Sequence, residues 1–248
     1  MSKTYQVHID TSTTVSNSVQ KFNNNPFQCT VLLGQTHRRV RKISLKSAEI
    51  PLSFYNIRAP YNVFQIIVGG VTYSYTVAPG TYTTTTLLAT LNTNINSSST
   101  YPIAGNPLTL NSGTNRITFA NASSTIIVSG PRSLGYFFGF VNGQSGTSII
   151  ATNAYNISLD NYLVLYIENL RPSSLEPNVP ITFKIPVTSN PGYIQYYAEG
   201  SEWKQQIEIF DPNVRIDRLN ITVLDRYGQQ LDNNGVDWTF TLEIESDT

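Results

Sequence analysis

The sequence predicts an all-β protein interrupted by one helix-bearing stretch. Short runs of β-branched and aromatic residues recur along its 248 positions, each bounded by Gly, Pro, Asn, Asp or Ser. Apolar and polar side chains alternate in the clearest of them, which sets one strand face against a core and the other toward water. A helical period appears only in the middle of the chain. At 40% hydrophobic and 11% aromatic, the chain has enough apolar surface for a core in one large domain, or in one domain carrying an insertion.

In chain order, residues 3–10 (KTYQVHID), 27–33 (FQCTVLL) and 38–50 (RRVRKISLKSAEI) open the strand series. Residues 63–68 (VFQIIV) and 71–77 (VTYSYTV) follow. Then, in 79–96 (PGTYTTTTLLATLNTNIN), Leu87, Leu88, Leu91 and Ile95 take helical spacing behind a run of Thr able to cap. Strands return at 116–120 (RITFA) and 125–130 (TIIVSG), and 130–140 (GPRSLGYFFGF) reads as one further helical turn. From 162–169 (YLVLYIEN) the pattern is strand alone, through 181–187, 193–199, 204–210, 215–225 and 237–245. Residues 60–150 therefore read as an inserted module with one helix and several strands, and 1–59 with 151–248 as the sandwich that carries it. The module is expected to fold semi-independently.

The last two strands are read as a hairpin. Leu219, Ile221 and Val223 alternate before the link RYGQQLDNNG, and Trp238, Phe240, Leu242 and Ile244 alternate after it. Gly228, Asn233, Asn234 and Gly235 accept the positive φ angles that turns require.

Charge excludes some functions. Lys and Arg number 16, Asp and Glu 16, and only 13% of residues are charged, so no long-range field draws the protein onto nucleic acid or an anionic membrane. Low charge with many Ser, Thr and Asn suits a surface that packs against neighbours, and many soluble β-proteins are similarly uncharged. Cys29 is the single cysteine, which excludes an intrachain disulfide; lying inside FQCTVLL it reads as a buried structural thiol, and folding is expected in a reducing compartment. The first residues have no apolar core of signal-peptide type, and no apolar run reaches the roughly 20 residues that span a bilayer. Secretion by the usual signal is not expected.

No residue constellation indicates catalysis, a metal or a cofactor. His8 and His37 are the two histidines and have no carboxylate or Cys at ligand spacing, so each reads as structural or solvated. Asp211, Asp217, Asp225, Asp232 and Asp237 crowd the C-terminal quarter, but turn chemistry accounts for them more simply than a calcium site. The chain has no phosphate loop, nucleophile elbow or paired-carboxylate motif.

Two clusters are candidates for contact. Arg38, Arg39, Arg41 and Lys42 suit local contact with packaged nucleic acid or an acidic neighbour. Alternatively, they are the charged outer positions of a strand anchored by Val40 and Ile43, discouraging edge pairing. Tyr193, Tyr196, Tyr197 and Trp203 suit a subunit interface or a sugar groove, and equally a sandwich core.

The runs ISLKSAEIPLSFYNI, YTVAPGTYTTTTLLATLN, LGYFFGF, YLVLYIENL and RIDRLNITVLDRYGQQLDNNGVDWTFTLEIE resemble the vertex (penton) and minor capsid proteins of virophages, polinton-like viruses and nucleocytoplasmic large DNA viruses. That resemblance implies a single jelly-roll β-sandwich with the inserted α+β module. It also implies a homopentamer at the fivefold vertices of an icosahedral capsid, contacting the major capsid protein and other capsid proteins in the virion after assembly inside the host cell. Neither an enzyme nor a cofactor follows from it. A receptor- or glycan-binding spike or fibre head is the second reading, and a β-sandwich carbohydrate-active enzyme a weaker third.

Overall fold

The structure, a computed structural model, describes residues 2–12, 18–131, 133–158, 160–168, 170, 182–200, 205–209 and 214–247. The chain divides into two compact units: Met1–Phe54 with Asp160–Thr248, and Tyr55–Leu159.

The first unit begins with β1 (Ser2–Asp10), β2 (Val19–Phe22), β3 (Asn25–Arg38) and β4 (Val40–Pro51). The second holds β5 (Val63–Val68), β6 (Val71–Thr76), α1 (Thr84–Asn96), β7 (Leu108–Asn111), β8 (Arg116–Ile127), α2 (Leu134–Phe137) and β9 (Ser145–Ile150). The chain then returns to the first unit as β10 (Tyr162–Ile167), β11 (Phe183–Pro186), β12 (Ile194–Ala198), β13 (Gln205–Glu208), β14 (Arg215–Leu224) and β15 (Thr239–Asp247).

Two antiparallel sheets build the first unit. One runs β1-β15-β4-β12, with β13 also pairing β4; the other runs β11-β10-β14-β3-β2. Counting β12 and β13 as one position and leaving aside the β2 hairpin arm, each sheet has four positions. The chain changes sheet at β1 to β3, β3 to β4, β4 to β10, β11 to β12, β13 to β14 and β14 to β15, which is jelly-roll connectivity. The core lies between the sheets: Ile43, Leu45, Phe240, Leu242 and Ile244 are buried from one side, and Phe27, Cys29, Val31, Leu219, Ile221 and Val223 from the other. Trp238 sits at one end, its ring 5.7 Å from Phe27 and 4.7 Å from Phe240, its indole N–H donating to the Pro26 carbonyl at 2.8 Å.

This arrangement corrects the hairpin. β14 pairs β10 and β3, whereas β15 pairs β1 and β4, so the two closing strands belong to opposite sheets. The link between them is an arch. Asp225 accepts from the N–H groups of Tyr227 and Gln229 to turn the chain back, and Leu231 N–H donates to the Val223 carbonyl at 3.0 Å. Asn234 at φ 52° and Gly235 at φ 74° then redirect it into the other sheet. Alternation in a strand reports which face is buried and carries no information about its partner, so hairpin and arch read alike in sequence.

In the second unit the sheet runs β6-β5-β8-β7, with β9 also pairing β8, and none of these strands pairs with the sandwich sheets among the described residues. Leu87, Leu88, Leu91 and Ile95 of α1 are buried in a separate core with Phe64, Phe119 and Phe138. The Thr run does cap the helix: Thr83 is the N-cap, and Thr83 and Thr86 each bond the other's backbone N–H in a capping box. The expected strands 116–120 and 125–130 are one strand, β8, whose pairing with β9 shifts register between Ala120 and Ser124.

Candidate assembly surface

The aromatic candidates lie on β12, an edge strand of its sheet. β12 pairs with β4 alone, in a register that sets Ile194 opposite Pro51, Tyr196 opposite Glu49 and Tyr197 opposite Ala48. Strand alternation then decides their orientation. Gln195 turns inward, and its side-chain oxygen accepts from the Thr188 and Ser189 N–H groups at 2.8 and 3.0 Å, pinning the preceding loop. Tyr197 follows it to that side, half-buried opposite buried Ala48; burial pushes its hydroxyl pKa up, with Gln205 partly opposing. Ile194 and Tyr196 face the other way. Tyr193 stands at the turn before the strand, where Gly192 takes φ 84° and the Tyr193 carbonyl accepts from Leu52 N–H at 2.9 Å. The outcome is an exposed aromatic patch on a sheet edge, with Glu49, the cross-strand neighbour of Tyr196, accepting from the Thr239 hydroxyl: Tyr193 is 67% exposed, Tyr196 66% and Ile194 43%. Trp203, the fourth candidate, lies outside the described residues.

The basic cluster occupies the corner between β3 and β4, where Arg39 alone joins the two strands at φ 52°. Val40 and Ile43 are buried, and Arg38, Arg39 and Arg41 exposed. The edge-protection reason fails, because β4 is an interior strand, paired by β15 on one side and by β12 and β13 on the other. Opposite charges meet these cations: Arg41 Nε lies 2.5 Å from Asp247 and Lys42 Nζ 3.7 Å from Glu245. The groove there, about 450 Å³, is lined by Arg39, Arg41 and Lys42 against Glu208, Glu245 and Asp247. Within the groove three cations face three carboxylates, while Arg38 stands outside its lining, opposite Arg215 in the strand pairing.

Further along the same outer face, the register of β15 on β4 shifts between Thr241 and Leu242 so that Leu45 and Ala48 both point inward. Lys46 is thereby left between Glu199 and Glu243; the Glu199 hydrogen bond raises its pKa most. Sequence reading misses this triad because its members are brought together only by strand pairing.

The remaining ionisable candidates do not converge. His8 is exposed and bonds Thr241, whereas His37 is buried, edge-on to Tyr5 at 4.9 Å. Asp237 accepts from Thr11 and Lys21, Asp232 caps Asn234 N–H, Asp217 lies beside Arg218, and Asp211 is outside the described residues. Burial pushes the Cys29 thiol up to about 12, far from a reactive thiolate. Among the described residues no group of three His, Cys, Asp or Glu is placed to hold a metal, and no helix is long and apolar enough to cross a membrane.

The sandwich with its inserted unit matches the crystal structure of the mavirus penton protein, with a TM-score of 0.52 and 9% identity over 100% of both chains. The likeness is one of fold. A chain in the cryo-EM structure of the Sputnik virophage matches at TM-score 0.43 and 14% identity, over 97% of this chain and 98% of that one. No protein-family model matches the chain, and no curated protein matches it in sequence.

Proposed function

We propose that this protein is a structural subunit of an icosahedral viral capsid, five copies of which ring each fivefold vertex as a penton. The observation that carries the reading is the whole-length likeness to the mavirus penton protein, inserted unit included. A balanced charge and an exposed aromatic patch on a sheet edge agree with it. In this reading the partners are further copies of the chain, the major capsid protein and other capsid proteins; the protein resides in the virion and assembles inside the host cell. A capsid subunit of this kind has no catalytic role in this reading.

Light scattering on the purified protein, with negative-stain imaging of the particles, tests this. A mass five times that of the chain and fivefold rings are the expected result; a monomer at high concentration counts against the vertex role. The exposed Tyr193 and Tyr196 also suit a glycan-binding spike head, and a stable trimer that binds glycans would favour that second reading.

A further inference from the structure

The edge of the sandwich opposite β12 has a recess of its own. In the sheet order β1-β15-β4-β12, β1 and β12 are the two ends, with two strands between them. Beside β1, a groove of about 430 Å³ opens between the sheets. Its walls include Val7 and Ile9 from β1 and Val31, Leu32 and Leu33 from β3; Leu32 is 43% exposed. The groove exists because β3 leaves its register with β14 here. Ile216 faces His37 but Arg218 already faces Leu32, so residues 33–36 loop out of the ladder. Gln6, Gln35 and His8 supply hydrogen-bonding groups at the lining, which contains no Lys, Arg, Asp or Glu.

The two surfaces match in chemistry. One offers the exposed Tyr193, Ile194 and Tyr196 beside a Glu49 that is hydrogen-bonded to Thr239; the other is a recess with apolar walls and amide groups able to bond a phenol hydroxyl. The volume lies in the ~300–1,000 Å³ range of cavities that take aromatic groups. The groove contributes no Lys, Arg, Asp or Glu to be buried when the tyrosines seat, and Glu49 beside Tyr196 keeps its Thr239 partner; an unpaired buried charge is costly. With two strand spacings of ~4.8 Å between β1 and β4, and β12 beyond, a copy cannot fill its own groove. A complementary pair on opposite edges is what a head-to-tail contact needs, whereas a twofold dimer needs one patch that matches itself.

We propose that copies of this chain join heterologously, Tyr193 and Tyr196 on the β12 edge of one copy seating in the β1–β3 groove of the next. This rests on the reading of the protein as a self-assembling capsid subunit and supplies the contact. Each copy gives one edge and receives another, so the series closes into a ring when the rotation per copy divides a full turn.

Two variants test it. Y193S/Y196S removes the donor edge. Gly34→Arg fills the groove, and a Cβ at Gly34 meets nothing within 4 Å, so the backbone accommodates it; Leu32→Arg is the second groove variant should the first melt early. By light scattering at a concentration where the native protein is assembled, each variant is expected to fall to the mass of one chain while keeping the native melting curve. A 1:1 mixture of the two is expected to give the mass of two chains and nothing larger, because one intact edge meets one intact groove and the series stops. If the folded variants assemble like the native protein, or the mixture remains monomeric, the proposed contact is wrong while native assembly stands. A native protein that is monomeric throughout overturns the contact and the capsid-subunit reading together.

Discussion

Trp238 is the largest fully buried side chain among the described residues, 1% exposed, and ties the two sheets together through one residue: its ring meets Phe27 of β3 and Phe240 of β15, and its N–H satisfies the Pro26 carbonyl. Trp238→Ala leaves a cavity and an unpaired carbonyl, so a loss of about 3–5 kcal/mol is expected, measured by denaturant unfolding. His37 gives a different signature. It is 4% exposed, and burial lowers its pKa from 6.5. The folded protein then binds fewer protons than the unfolded chain in the window just below 6.5. The stabilising contribution is complete above 6.5 and is lost as pH falls toward the folded pKa. His37→Phe keeps an aromatic ring beside Tyr5 and removes the titration; the drop in melting temperature between pH 7 and pH 5 is expected to be shallower in the variant. The alternation of Trp238 with Phe240, Leu242 and Ile244 places it on a core face in sequence, whereas the burial of His37 is not legible there, an isolated His being compatible with burial or exposure alike.

At the scale of elements, the legible features were those written in local chemistry. α1 is readable because its four apolar residues fall on one face and a Thr stands where an N-cap is needed. Thr83→Ala removes the bond that Thr83 Oγ1 accepts from Thr86 N–H while leaving the Thr83 N–H to Thr86 Oγ1 half of the box, and the expected cost is about 1 kcal/mol, checked by hydrogen exchange at the first turn of the helix. β2, β7 and β9 are missed by sequence reading: VQKF and LTLN are four residues long, and SGTSII is half polar, so none shows a sustained period. The basic cluster shows the limit from the other side. A charge run is obvious in sequence, but that Asp247 and Glu245 lie against Arg41 and Lys42 depends on β15 pairing with β4 across two hundred residues.

For the whole molecule, the chain forms two compact units, and among the described residues the inserted unit has its own sheet and its own buried core. Replacing residues 55–159 by a flexible Gly/Ser linker is expected to leave a β-rich protein with a cooperative melt, measured by circular dichroism. A remainder that melts without cooperativity would show that the sandwich depends on the insertion.

The sequence by itself determined the strands with a sustained period, which of their faces are apolar, and that a helix interrupts them, because propensity, period and capping act within a few residues. Tertiary structure decided which strands meet. It sent β14 and β15 to opposite sheets, placed β12 at an edge so that Tyr196 is exposed while Tyr197 is half-buried, and opened a groove where β3 slips against β14. These outcomes depend on pairing between residues far apart in the chain. A period of two is the same whichever strand lies alongside, so the local pattern cannot select the partner, and burial of the whole core does.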